Sequence, residues 1–473
     1  MWWECAWLRT SWRRTPATGL GRESAIFRGV KPSAAQTHDD RPGLGLASGV
    51  GLVASSMVGV GVLVSAGWAS RVLGPGEILL TWIVGGVLAM CGARAYAALA
   101  ELIPRSGGEY RYLADLLHPA LGYMAGWASL VLGFAAPVAF CAATADAYAA
   151  TLVTLPQHAV GIAVIALVTA VTMGSLRASR RMQDSLALAK LALFAGFLVV
   201  GLVYGSREWP QWRPEVHSAG FPLGDFLGQL LWVAFAYSGW NTAAYAAGAF
   251  REPRRDVPRA MVIGAVLVMA LYLVVNWIFV ANLDQAELAS WRGAGGDQNR
   301  TTLGHLIVLD LVGPIGAAAM SGFVVLSMLS STSAFTIAGP FVYAAMSRDG
   351  LLPRALAGAD GAPPKASILL QSSIALVLLL THSFDLLVEN VGAVLTFTTA
   401  LTALCVLRAR FAPPPSLRGQ RIAPAAVVCS VAYFAMSAYT LWAAAVEVPA
   451  RLLWISAMIA LTALGYVFTR PKR

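Results

Sequence analysis

From residue 45 to residue 468 the chain is a near-continuous succession of apolar runs, many about as long as the roughly 20 residues that cross a hydrocarbon core. Bounded by Gly, Pro and Arg clusters, the runs predict about twelve helices. The first five lie near 45–70, 77–100, 120–154, 159–173 and 185–204. The next five lie near 225–249, 259–281, 311–346, 367–381 and 386–407, and the last two near 423–445 and 452–468. With 58% hydrophobic and only 12% charged residues, the expected fold class is an all-α polytopic membrane protein. Such short connections leave no room for a large soluble catalytic domain.

The 34 basic against 24 acidic residues would raise nucleic acid as a partner in a soluble chain. Here the lipid bilayer is the expected partner, because the basic residues collect in alternate connections: Arg177, Arg180 and Arg181; Arg251, Arg254, Arg255 and Arg259; Arg408, Arg410, Arg418 and Arg421. By the positive-inside rule those segments, both termini among them, are cytoplasmic in a multi-pass cell-membrane protein. Residues 1–44 read as a disordered cytoplasmic tail, a targeting segment or an over-extended start, with no apolar segment of the secretory-signal type.

Cys5, Cys91, Cys141, Cys405 and Cys429 are widely separated, and the six histidines show no metal-ligand spacing. Neither a metal, a cofactor nor an enzyme is expected, as no GxSxG or Walker pattern occurs. Asp146 and Glu389 read as solvated helix-end acids.

Two runs are hard to keep helical. The first carries Gly49 and Gly51, then Ser55-Ser56-Met57-Val58-Gly59-Val60-Gly61. Each glycine there weakens a helix by about 1 kcal/mol relative to Ala, so these residues either break the helix or allow close packing. The sixth run is interrupted by Phe235-Ala236-Tyr237-Ser238-Gly239-Trp240-Asn241. Each interrupted run opens a block of five, about 45–204 and 225–407, which is the mark of an inverted repeat with its site at the midplane. The transporter core is then 45–410, and 411–473 adds two helices and a short tail.

Several segments carry a family resemblance. Ser55 to Gly67, Gly74 to Leu113, Phe235 to Asn241, Glu252 to Ala260 and Ser347 to Pro353 together resemble the amino acid–polyamine–organocation superfamily of permeases. The resemblance is strongest to bacterial amino acid permeases and to the light chains of heteromeric amino acid transporters. It implies that amides of Gly59, Val60 and Gly61 receive a substrate carboxylate, and that carbonyls near Phe235, Ala236 and Ser238 receive the amino group. Phe235 becomes an aromatic lid, and Asn241 steadies the broken helix or touches the ligand.

Lys190 sits in an otherwise apolar run, some five or six residues from its expected inner end. It either snorkels to the interface or faces the bundle. The resemblance implies the second: an ammonium in the place a sodium ion occupies in related folds, bridging the first broken helix to Ser330 and Ser331 as a coupling group.

The chain also departs from the family pattern. Val60 stands where a small hydroxyl residue is expected, Ala98 where a glutamate is, Gly248-Ala249 where an acidic pair is, and Phe341 where an arginine is. These losses suggest an apolar gate in place of an ionic one. The loop Leu155 to His158 has no cysteine, so no disulfide-linked heavy chain is expected.

The expected activity is secondary active transport of amino acids by proton coupling or exchange, with an amino acid and protons as the small-molecule partners. A polyamine or cationic amino acid transporter, and a transporter-like nutrient sensor without flux, are the competing readings. No acid is expected to lie beside either break, so neutral, apolar side chains are expected to be favoured over cationic ones.

Overall fold

A computed structural model describes residues 43–59, 62, 69, 73–205, 221–282, 309, 313–359, 364–381, 384–447 and 450–469. Residues 1–42, all but the last two of the expected tail, lie outside that set, as do Val60 and Gly61. The helices are α1 (Leu46–Met57), α2 (Pro75–Leu102), α3 (Glu109–Leu116), α4 (Pro119–Ala149), α5 (Ala159–Gly174), α6 (Leu176–Tyr204) and α7 (Leu223–Ala236). They continue with α8 (Thr242–Tyr245), α9 (Pro253–Asn282), α10 (Pro314–Arg348), α11 (Lys365–Thr381), α12 (Phe384–Phe411), α13 (Pro424–Glu447) and α14 (Ala450–Thr469). Among the described residues seven are long and apolar enough to cross a membrane: α2, α4, α6, α9, α10, the Val394–Phe411 part of α12, and α13 within Pro424–Ala443. The shorter α1 and α7 each form one part of an interrupted run.

Local chemistry explains the boundaries. Pro75 opens α2, where its missing N–H is not needed, and the Glu77 carboxylate accepts the Gly74 N–H at 2.7 Å. Asp146, near the end of α4, accepts the Val160 and Gly161 N–H groups at 3.0 and 3.1 Å. It caps the start of α5, so the acid does sit at a helix end, but the reading of it as solvated is corrected: one carboxylate oxygen serves backbone N–H groups and the other is buried; the Glu389 side chain lies outside the described set. A π-helical turn over Ser129–Ala135 leads into the Pro137 segment of α4, where a proline lacks the N–H that a regular ladder needs.

One boundary corrects the sequence reading. The run expected to begin at 185 begins at Leu176, because Ser175 caps it by accepting the Ala178 N–H at 3.1 Å. Arg177, Arg180, Arg181 and Asp184 therefore belong to the helix. An apolarity criterion misses such polar first turns, and the shift places Lys190 in the middle of α6 rather than near its end.

Packing is closest between α2 and α9, α4 and α10, α12 and α13, and α1 and α9. Gly49 belongs to these contacts: a Cβ there would stand 2.5 Å from the Phe250 ring. The close-packing reading therefore holds for Gly49, inside the continuous α1, while the interruption falls after Met57. Among the described residues the only extended pairing is the Leu44 to Phe250 bridge. The Leu44 N–H donates to the Ala249 carbonyl at 2.8 Å and the Arg251 N–H to the Leu44 carbonyl at 3.0 Å. This joins the entry of the first interrupted run to the exit of the second.

Candidate functional site

Ending a helix in mid-run leaves its last carbonyls without the N–H groups of a following turn. At the end of α1, Val58 leaves the helical region at φ −72°, ψ 88°. The Ser55 and Val58 carbonyls both accept from the Lys190 ammonium of α6, the former at 3.1 Å. The Ser331 hydroxyl of α10 lies 2.9 Å from the same nitrogen, and also 2.9 and 3.1 Å from the same two carbonyls. The Ser330 hydroxyl stands 3.2 Å from that of Ser55. Lys190 is only 1% exposed, so the snorkelling alternative is corrected: its side-chain nitrogen is spent on backbone oxygens at the partly negative C-terminal end of α1.

The second interruption follows Ala236. Gly239 takes φ +103°, a region a side chain disfavours, and a Cβ there would lie 2.9 Å from both the carbonyl carbon and oxygen of Ser56. The two interruptions thus meet backbone to backbone. The Thr242 hydroxyl donates to the Gly239 carbonyl at 2.6 Å, and α8 restarts there.

Tyr272 of α9 ties the two together, its hydroxyl lying 2.7 Å from the Met57 carbonyl and 3.2 Å from that of Ala236. Its ring packs on Trp82 and Tyr237, with centroids 5.3 and 5.0 Å away. Sequence reasoning passed over Tyr272. The available signal was a phenol, with a hydroxyl that needs a partner, in the middle of an apolar run.

Of the residues expected to bind substrate, Ala236 is buried, Gly59 and Asn241 are half-buried and Ser238 is exposed. Phe235 lies on α7, its side chain outside the described set, and Val60 and Gly61 are outside it altogether. The Asn241 side-chain amide donates to the Tyr245 hydroxyl at 3.1 Å and to the Glu109 carboxylate at 3.2 Å.

That last contact overturns the reading that no acid lies beside either break. Glu109 belongs to α3, in a connection far away in sequence, and only the fold brings it to the second break. The same connection also carries ion pairs, at positions other than those where the family pattern is lost. The Arg111 guanidinium of α3 pairs with Asp349, just past α10, at 2.8 Å with both side chains largely buried, and Tyr110 donates to the same carboxylate. Arg105 and Asp115 add a more exposed pair.

The chain matches the family described as "Amino acid permease" over residues 44–468. It is 27% identical over 364 residues to "Large neutral amino acids transporter small subunit 2" of Mus musculus, covering 74% of this chain and 66% of the mouse protein. It is 28% identical over 280 residues to "b(0,+)-type amino acid transporter 1" of Homo sapiens, covering 57% and 58%. The chain therefore spans less than two thirds of the length of each of these relatives, 66% and 58%, and both are transporters by name.

Proposed function

Because this chain belongs to the amino acid permease family, we propose that it is a secondary active transporter of neutral, mainly apolar L-amino acids. It works by alternating access in the cell membrane, with proton coupling or exchange. The observation that carries this reading is the meeting of two interrupted helices at Gly239 and Ser56. Irregular backbone at membrane depth is tolerated where it is buried in protein or lines a cavity, and it offers amides to a carboxylate and carbonyls to an ammonium, the two ends of an amino acid.

In this reading the amides of Gly59, Val60 and Gly61 hold the carboxylate. Carbonyls of Phe235, Ala236 and Ser238 hold the amino group, the Ala236 oxygen keeping a second lone pair beside its bond to Tyr272. Phe235 covers the ligand and Asn241 braces the second break. Lys190, Ser330 and Ser331 form the coupling group. The arginine-rich connections and both termini face the cytoplasm. The name "small subunit" says that the mouse relative assembles with another chain. For this chain no disulfide-linked heavy chain is proposed, since the connection at 155–158 has no cysteine.

Glu109 favours a second reading, a carrier of cationic amino acids or polyamines, because it sets a carboxyl next to Asn241. The neutral reading is preferred because that carboxyl is already engaged: one oxygen is occupied by three donors, from Tyr96, Asn241 and Tyr245. A cationic side chain would have to compete with those donors for the carboxyl, and any of them it displaced would be left buried without a partner.

Uptake of a panel of amino acids and amines into proteoliposomes tests both readings. Leucine-like substrates are expected to be accumulated, with arginine and putrescine competing at least about tenfold more weakly. Displacement of a neutral amino acid by arginine or putrescine at equal concentration overturns the neutral reading. Binding without flux identifies a sensor instead.

A further inference from the structure

Glu109 lies in the connection between the second and third apolar runs, where an acid is expected to meet water, yet it is 1% exposed. Its Oε1 receives the Tyr96 hydroxyl of α2 at 2.9 Å, the Tyr245 hydroxyl of α8 at 2.9 Å, and the Asn241 amide at 3.2 Å. Its Oε2 is buried and makes no hydrogen bond of normal geometry among the described residues. The Thr398 hydroxyl of α12 stands beside it but donates to the Leu395 carbonyl at 3.1 Å.

No counter-charge answers this carboxyl. Among the described residues no Lys, Arg or His nitrogen lies within 4.0 Å of it, and Arg111, on its own helix, is turned to Asp349. The other titratable groups facing the cluster are Cys405 of α12 and Tyr433 of α13, with Tyr112 of α3 edge-on to the Tyr96 ring. All are neutral acids, and none brings a positive charge.

We propose that Glu109 is a proton-binding site, loaded from the side of the α3 connection, whose protonated form ties the α8 side of the second break to α2 and α3. The proposal rests on the transporter reading, since a bundle that opens on this side must draw α8 away from α2 and α3 and so wet the carboxyl. Burial holds the Glu109 carboxyl above the usual carboxylate range, and the hydrogen bonds from its neighbours draw it back only in part.

The sign follows from linkage. A group whose pKa is raised in the tied arrangement stabilises that arrangement fully below its water-exposed pKa, and loses the effect as pH rises through the raised value. Acid therefore holds this face shut and alkali releases it. The orphaned Oε2 is the atom that carries the proton, and deprotonation leaves a bare buried charge that favours opening to water.

Cys405 is a built-in reporter, fully buried, with its Sγ 3.6 Å from the Tyr112 carbonyl and close to Glu109. In the full chain reconstituted in bilayers, with the other four cysteines replaced by alanine, its reaction with a water-soluble maleimide is followed from about pH 5.5 to about pH 8. Each rate is divided by that of the same thiol in denatured protein at the same pH, which removes the thiol's own titration. The ratio is expected to rise about tenfold or more across this range. Glu109→Gln, which imitates the neutral acid, is expected to stay low and flat, and Glu109→Ala high and flat.

A flat ratio in the otherwise unaltered chain, or a Glu109→Gln variant that follows its slope, overturns the proposal. Should Glu109→Gln fail to accumulate, Tyr96→Phe removes one donor to the carboxylate and is expected to move the midpoint to higher pH; an unmoved midpoint overturns the proposal equally. Flux is measured on the same vesicles. A titrating Cys405 in a protein that moves no amino acid defeats the transporter reading and leaves the proton site standing, and flux with a flat ratio does the reverse.

Discussion

At the first interruption a lysine nitrogen sits on backbone carbonyls, whereas at the second a carboxyl gathers neutral side-chain donors. The difference follows from what each break leaves unpaired. The C-terminal end of α1 presents oxygens with partial negative charge, and a primary ammonium with three donors can satisfy the Ser55 and Val58 carbonyls and still reach Ser331. Near the second break the carbonyls at Ala236 and Gly239 already have hydroxyl donors in Tyr272 and Thr242, and what remains is the side chain of Asn241. The first junction is thus a charged clamp on backbone. The second is a side-chain network whose central member can change charge.

The comparison is most severely broken at Lys190. Lys190→Ala withdraws the shared donor from two carbonyls and leaves only Ser331 to serve them. A loss of about 3 kcal/mol is expected, read as a fall in the melting temperature of purified protein, together with loss of uptake at every pH between about 5 and about 8. Uptake that survives unchanged across that range would show that the clamp is dispensable for cycling.

Gly239→Ala asks whether the two junctions need to touch. Its Cβ must meet the Ser56 backbone and adopt a disfavoured φ, at about 2 kcal/mol. Protein that still reaches the membrane is expected to bind substrate at least about tenfold more weakly. Unaltered binding in Gly239→Ala would mean that the contact between the breaks has no part in the site. The smallest effect is expected at Tyr272, where Tyr272→Phe keeps the ring packing and removes one hydroxyl shared by two carbonyls. About 1 kcal/mol is expected, seen as a several-fold weaker apparent affinity with membrane abundance unchanged. Equal affinity in the two proteins would reduce Tyr272 to a packing residue.

How far the site could be read in advance differs between its parts. Both interruptions were legible, because glycine and the Ser-Gly pair in an apolar run weaken the local helix whatever surrounds it. Gly49 was not separable from Gly59 on that ground, since packing glycines and breaking glycines have the same composition. Lys190 was noticed as a charge in an apolar run, but the sequence left open whether it snorkels. The decision turned on where α6 starts, and a polar first turn capped by Ser175 concealed that start. Glu109 was not singled out, for a related reason: acids in connections are ordinarily solvated, and nothing local to SGGEYRYL says how deep its helix will dock.

By itself the sequence determined the all-helical membrane class, the two places where helices fail, and the family to which the chain belongs. These depend on hydropathy, on glycine's intrinsic effect and on ordered motifs, all properties of contiguous residues. Only the tertiary structure decided which polar groups meet. The Lys190 ammonium finds Ser331 141 residues away, Tyr272 reaches Met57 across 215, and Glu109 reaches Asn241 across 132. In a medium without water a buried polar group must find its partner within the protein, and which partner it finds is set by how the helices pack rather than by the residues beside it in the chain.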